Sequence, residues 1–319
     1  VTAETVPPAV GEGPPDPRWS AVDGVLAGAV DAHGSMEVRA AADASVTAVQ
    51  LVGHLRAWAG RIGLPLDPGA AALCSLTAAN CTPWLSAPAC SPTARTAFWL
   101  LALDAWSDGP GGDAAAVDAG VTRCLAVVDG RAPGADDPLA VALAEIRDGV
   151  RGGPSGEAVY GWWRRAATAC LVGTRFERHA ADAVARGGRP PLLAEYLHHA
   201  TGSIGLAMTV TAAWSAMEEP DLPARLPDLW RPLRDASVAV RLANDLRGHD
   251  REQAEGTLDA LALGCAPQDL VELLVRHVDR CRRRLRPLAE VSPGAAAALE
   301  RHLVWSVRMY QRFDAGHTG

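Results

Sequence analysis

The chain of 319 residues has no lysine, so its thirty basic residues are all arginine, a bias that a GC-rich genome produces. Phenylalanine and tyrosine are scarce, three of each, against ten tryptophans. There is no run of eighteen apolar residues, which excludes a helical membrane span. No basic stretch followed by an apolar one opens the sequence, so no signal peptide is expected. Zinc is excluded by spacing. The seven cysteines (74, 81, 90, 124, 170, 265, 281) are scattered, Cys81 and Cys90 are too far apart for a CxxC pair, and no Cys/His set accompanies them. An odd count at irregular spacing fits reduced, buried thiols and a cytoplasmic protein. Positive charge is in deficit as well, and the net charge of −7 argues against a nucleic-acid partner.

Alanine is abundant, strand-type alternation is scarce, and Gly/Pro clusters separate helical stretches. These features predict an all-α protein. Residues 1–17 carry five prolines and little apolar content, which predicts a disordered arm over 1–18 and a single domain over 19–319. Helices are expected at 20–31, 35–62, 69–80, 91–108, 113–129, 137–151, 155–186, 190–200, 203–217, 225–250, 254–263, 267–286 and 293–313. Thirteen helices joined by short loops must share a core, and a bundle of this size can enclose a central cavity.

Two segments carry chemistry. In Arg241-Leu-Ala-Asn244-Asp245-Leu-Arg-Gly248-His-Asp-Arg251-Glu252 a helix puts Asn244, Gly248 and Glu252 on one stripe, four residues apart, with Arg241 and Arg251 beside it. Oxygen ligands next to arginines suit a complex of a divalent cation with diphosphate. The second segment is an apolar run from Phe98 that ends in Asp104 and Asp108, also four apart, before Gly109-Pro110. Carboxylates at a helix C-terminus oppose the macrodipole, a local cost that a bound cation would offset.

Together these motifs resemble those of class I terpene synthases, in which one metal motif reads Asp-Asp-x-x-Asp and the other Asn-Asp-x-x-(Ser/Thr)-x-x-(Lys/Arg)-Glu. The first is here Asp104-Ala105-Trp-Ser-Asp108. The second is Asn244-Asp245-Leu-Arg-Gly248-His-Asp-Arg251-Glu252, with glycine for the hydroxyl residue. Thr82-Pro-Trp84, Glu195-Tyr-Leu, Ser203-Ile-Gly205 and Glu255-Gly are similar to bacterial diterpene cyclases, and the likeness runs from about residue 45 to residue 313. The resemblance implies a helical bundle around a central active-site cavity that ionises an isoprenoid diphosphate. It implies three Mg²⁺ ions, held by Asp104 and Asp108 on one side and Asn244 and Glu252 on the other. Arg251 would contact the diphosphate, Arg241 would do the same or pair with Asp245, and Arg308 and Tyr310, which are similar to an Arg-Tyr pair although Met309 separates them, would close over it. Leu100, Leu101, Phe98, Trp84, Trp162, Trp163, Trp214 and Trp305 are candidates for the cavity wall, where indole faces stabilise carbocations.

Family members acting on acyclic substrates often carry a diphosphate-sensing arginine just before the break near residue 203. The stretch Tyr196-Leu-His198-His199-Ala-Thr-Gly-Ser203 has none. That favours a bicyclic labdadienyl (copalyl-type) diphosphate over geranylgeranyl or farnesyl diphosphate, with an upstream class II cyclase in the pathway. A homodimer is left open. Three rivals are set against this reading. A chain-elongating prenyltransferase would need two intact aspartate-rich motifs and lysines. A binding protein that has lost catalysis is favoured by Ala105 and Gly248. A class II cyclase needs an Asp-x-Asp-Asp motif, which is absent.

Overall fold

The computed structural model describes residues 17–30, 38–65, 68–109 and 113–312. The predicted arm lies outside them except for a 3-10 turn, Pro17–Trp19, whose Trp19 is buried. Among the described residues there are twelve α-helices and no strand. They are α1 (Ser20–Val30), α2 (Val38–Ile62), α3 (Pro68–Cys81), α4 (Ala87–Asp108), α5 (Ala114–Val128), α6 (Pro138–Arg151), α7 (Gly156–Ala185), α8 (Leu193–Ser203), α9 (Leu206–Ser215), α10 (Leu222–Glu255), α11 (Pro267–Leu285) and α12 (Pro293–Arg312).

The starts follow local chemistry. Proline occupies the first turn of α4, α6, α10 and α11, where its missing N–H costs nothing. The carboxylates of Asp113 and Asp137 accept from the amides of Ala116 (2.7 Å) and Ala140 (3.1 Å), capping α5 and α6. One predicted helix is not formed. Instead of a new helix at 254–263, α10 runs on to Glu255 and stops at Gly256, whose φ of +74° ends it in the left-handed region. The chain then turns back without regular structure, pinned by Asp245, which accepts from the Ala260 amide (3.1 Å). Asp259 holds it too, meeting His249 Nδ1 at 2.7 Å and accepting from the Ala262 amide at 2.6 Å.

The apolar interior forms two clusters. One is built from α2 to α7, with Met208 and Ala212 of α9. The other is built from α1 and α8 to α12, and Ala207 and Trp230 touch both. Helix α10 packs on α7, α8, α9, α11 and α12, and α4 packs on α2, α3, α6, α7 and α9. The break between α8 and α9 is pressed against α4. A Cβ at Gly205 would stand 2.3 Å from Leu100 Cδ1, and its φ is +70°, so space and backbone both require glycine there. This contact brings Ile204 and Leu100 to one wall of the interior.

Asp235 couples α10 to α11. It is 5% exposed and meets His277 Nδ1 (3.0 Å), Arg280 Nε (3.7 Å) and Arg284. Its arginine partners are partly exposed, so they recover solvation when it is removed. Asp235→Ala is therefore expected to cost about 3 kcal/mol, the lower end for a broken buried pair. The thermal midpoint should fall by roughly 4–5 °C for a chain of this size, checked by circular dichroism, with Arg284→Gln costing far less.

Candidate active site

Helices α4 and α10 deliver the two acidic segments to one cavity. Asp104 and Asp108 line it from α4, Arg241, Asn244, Arg251 and Glu252 from α10, and Tyr310 from α12. A second lobe shares Leu100, Leu101, Ile204 and Tyr310 with the first and is otherwise mostly apolar. The cavity thus has a polar end and an apolar end, with Tyr310 at their junction.

The deepest charge at the polar end is Arg241, 8% exposed. Its Nε donates to Asp245 Oδ1 at 2.6 Å. One terminal nitrogen lies 3.2 Å from Glu177 Oε1, the other 3.9 Å from Glu252 Oε2, and the guanidinium sits 5.3 Å over the Tyr196 ring. Burial works against the guanidinium, but Asp245, followed by Tyr196, Glu177 and Glu252, outweighs it and raises its pKa. Asp245 is fully buried and turned away from the cavity. It accepts from Arg241, from the Tyr196 hydroxyl (3.0 and 3.1 Å) and from the Ala260 amide. Burial raises the Asp245 pKa, against the opposing pull of Arg241, the Ala260 amide and the Tyr196 hydroxyl.

Glu252 folds back over Gly248, one turn earlier. A Cβ on Gly248 would stand 2.8 Å from Glu252 Oε1 and 3.1 Å from an Arg251 terminal nitrogen. Glycine thus leaves room for the acidic side chain that a larger residue would displace. Glu252 is 6% exposed, and burial pushes its pKa up against the opposing pull of Arg241. Arg251 meets Glu252 at 3.4 Å and Glu255 at 2.7 Å.

Sequence reasoning missed the α7 wall. Thr174, Glu177, Arg178 and Ala181 line the cavity, and their spacing is itself a helix stripe that puts charged residues on an inward face. Burial raises the Glu177 pKa, opposed by Arg241 and Ser203. Arg178 pairs with Asp182 at 2.9 Å, while its buried Nε donates to no acceptor.

Four carboxylates line the polar end: Asp104, Asp108, Glu177 and Glu252. The three arginines beside them each pair closely with a carboxylate off that wall, Arg178 with Asp182, Arg241 with Asp245 and Arg251 with Glu255. Negative charge on the wall is therefore in excess. Asp108, although it stands on the exposed rim, has its carboxyl pushed up to about 7, first by the surrounding protein and then by Asp104 and Glu177. Glu177 Oε1 and Glu252 Oε2 are buried and accept no hydrogen bond. Among the described residues no three acidic, His or Cys side chains converge as a closed cage. Mg²⁺ keeps several waters and needs only one or two carboxylates per ion, so a divided set of oxygens fits it.

Other expected wall residues lie elsewhere. Arg308 faces away from the cavity and pairs with Asp23 of α1, because its position on α12 is rotated from that of Tyr310. Of the tryptophans named, only Trp305 lines the cavity. Trp84 is 47% exposed, and Trp162 packs on Trp230 with ring centroids 5.1 Å apart. Trp163 stacks on Tyr160, and Trp214 donates to the Ala295 carbonyl at 3.0 Å, both within the core. Phe98 is turned toward Trp58. Apart from Trp84, these rings fill helix–helix contacts, where large side chains gain most from burial.

Residues 95–282, more than half the chain, match the model of terpene synthase family 2, C-terminal metal binding. An ent-pimara-9(11),15-diene synthase of Streptomyces sp. (strain KO-3988) is 30% identical over 280 residues, covering 84% of this chain and 91% of that protein. The chloroplastic ent-beyerene synthase KSL2 of Oryza sativa subsp. japonica is 27% identical over 126 residues, 37% of this chain and 15% of that one. The fold matches linalool/nerolidol synthase from Streptomyces clavuligerus, solved in complex with 2-fluorogeranyl diphosphate. The TM-score is 0.65 at 18% identity, over 84% of this chain and 95% of that one. The motifs, the all-α fold and these matches lead to one assignment: the chain belongs to the bacterial class I terpene synthases, lyases that act on prenyl diphosphates.

Proposed function

We propose that this enzyme is a diterpene synthase that ionises a bicyclic labdadienyl (copalyl-type) diphosphate and steers the cation to a hydrocarbon or alcohol. The observation that carries this reading is the cavity itself, with an acidic wall of α4, α7 and α10 at one end and an apolar lobe at the other. Mg²⁺ would be held by Asp104 and Asp108 from α4 and by Asn244 and Glu252 from α10. When bound, it supplies neutralisation of the diphosphate and so stabilises the leaving group. Arg251 would turn from Glu255 to the diphosphate, and Arg241 would fix Glu252 beside it. The apolar lobe excludes water from the cation.

Two observations favour the bicyclic C20 substrate. The Streptomyces relative is named for a diterpene product. Helix α8 brings no arginine to the cavity: His198 is exposed and His199 stacks on Phe176 with centroids 4.0 Å apart. A preformed bicycle needs less conformational guidance. A second reading, an acyclic C20 or C15 diphosphate, is favoured by Arg178, which offers the cavity a guanidinium from α7 instead. Incubating the protein and Mg²⁺ with C10, C15, acyclic C20 and copalyl diphosphates, and measuring diphosphate release and hydrocarbons, tests the proposal. Copalyl diphosphate should give the highest kcat/KM. A higher value for geranylgeranyl diphosphate defeats the bicyclic reading alone, and no release from any of them defeats the whole.

Asn244→Ala and Glu252→Gln are expected to lower kcat by at least about a hundredfold, the scale for losing a preorganised electrostatic contact, with the helical circular dichroism unchanged. Gly248→Ser should keep turnover within about tenfold and lower the Mg²⁺ needed for half-maximal rate, because a hydroxyl replaces an ordered water. The added Cβ meets only the movable ends of Glu252 and Arg251. An unchanged Mg²⁺ requirement would remove position 248 from the ion site.

Asp108 gives a pH signature. Its folded pKa of about 7 lies above the ordinary 3.8, so the folded chain keeps a proton that the unfolded chain releases. Stability of the metal-free protein then falls as pH rises between those values. Asp108→Asn removes that slope. With a chelator present, the variant should melt above wild type at pH 8, with the gap closing towards pH 5. A constant gap would assign the effect to packing.

A further inference from the structure

Ionisation leaves a carbocation that must finally lose a proton or meet water, and the carboxylates stand at the opposite end from the apolar lobe. One buried group in that lobe has no part in anything described above. His302 lies on α12, is 0% exposed, and forms part of the lobe's wall with Trp305, Leu100, Leu101 and Val240. Its Nδ1 is 2.8 Å from the Ala298 carbonyl oxygen. A carbonyl only accepts, so Nδ1 carries the hydrogen, and in the neutral ring Nε2 holds a bare lone pair. Nε2 is buried and has no hydrogen-bond partner in the protein. Leaving an acceptor unpaired in an apolar interior is costly, and a core position needing only bulk is better served by leucine or phenylalanine.

We propose that His302 Nε2 is the base that ends the reaction, accepting the proton from the carbocation held in the apolar lobe. The inference rests on the terpene synthase reading of this cavity. In the step, a C–H bond on the carbon next to the cationic centre breaks and its electron pair becomes the new C=C bond. The proton passes to the Nε2 lone pair, giving an imidazolium. Burial, with the charge of neighbouring Arg301 as a smaller contribution, lowers the His302 pKa to about 4. The ring is therefore neutral and ready at pH 7, and the imidazolium gives its proton to water as product leaves and the lobe rehydrates. Arg301 itself is directed elsewhere, its Nε donating to the Asn80 carbonyl at 2.8 Å. Trp305 is held beside His302 by an Nε1 hydrogen bond to Thr77 Oγ1 at 2.9 Å, and its indole offers the cation a π face before proton loss.

The test compares wild type, His302→Phe and His302→Gln with Mg²⁺ and, separately, copalyl and geranylgeranyl diphosphates. Diphosphate release is read by phosphate assay after pyrophosphatase, and products by gas chromatography with mass detection. Ionisation should stay within about threefold of wild type. The wild-type alkene should fall at least about tenfold relative to other alkenes and alcohols, the low side of what a general base contributes. An unchanged product mixture in either folded variant overturns the role of His302 and leaves the enzyme assignment intact. Absence of diphosphate release by wild type from both substrates defeats the underlying reading instead. If neither variant folds, ¹⁵N-histidine NMR of wild type decides. A His302 Nε2 shift typical of a bare imidazole nitrogen supports the proposal, and a protonated Nε2 overturns it.

Discussion

One buried guanidinium sets the frame of the polar end. Arg241 touches Asp245 on its own helix and Glu177 on α7, lies over Tyr196 of α8, and approaches Glu252 two turns beyond Asn244. A charge out of water is tolerated only with close partners, and removing any partner leaves another charge uncompensated. The mutual positions of α7, α8 and α10 are thereby tied to one group. Asp245 extends the tie to the irregular segment after α10 through the Ala260 amide. The Asn244-Asp245 pair divides its work because successive helical residues point about 100° apart. Asn244 lines the cavity, and Asp245 is turned into the core to hold Arg241.

The scarcity of phenylalanine and tyrosine has a structural counterpart. Four indoles reach between helices and end on hydrogen-bond acceptors. Trp99 donates to Leu139 O (2.9 Å), Trp214 to Ala295 O (3.0 Å), Trp58 to Glu145 (2.9 Å) and Trp305 to Thr77 Oγ1 (2.9 Å). Each buries a large apolar area and also satisfies a polar atom, which a phenylalanine cannot do. These four tryptophans serve as ties in the bundle, and of them Trp305 also lines the cavity.

The all-α fold was legible because helix periodicity and Gly/Pro breaks agree along the chain. The four-residue stripes of Asp104 with Asp108 and of Asn244 with Glu252 were legible for the same reason, since spacing alone puts such residues on one face. The helix expected at 254–263 failed because composition cannot reveal that Gly256 takes a positive φ and that Asp245 and Asp259 pin the backbone beyond it. Rotation about a helix axis was equally hidden. Arg308 and Tyr310 are two residues apart, and only Tyr310 faces inward. The α7 stripe of Thr174, Glu177, Arg178 and Ala181 carried a readable signal, but charged residues at helical spacing usually mark a solvated face. Only the packing of α7 against α8 and α9 turns this one inward.

The two departures from the family motifs differ in physical consequence. Ala105 follows Asp104 by one residue, so it points away from the Asp104–Asp108 stripe. It is exposed and is not part of the cavity wall. A carboxylate there would add negative charge next to Asp108, whose carboxyl is already pushed up to about 7, first by burial and then by Asp104 and Glu177. Its absence eases repulsion in the metal-free chain while the stripe itself stays whole. Gly248, by contrast, lies on the stripe of Asn244 and Glu252, and the space it leaves is filled by the Glu252 carboxylate. A hydroxyl residue at 248 would push Glu252 outward before any ion arrives. With glycine, Glu252 rests against the helix and Arg241, so under the proposed function a bound cation would have to draw it out. That makes the resting position of Glu252 a property of a residue that has no side chain, and any cation dependence of the site would follow from it.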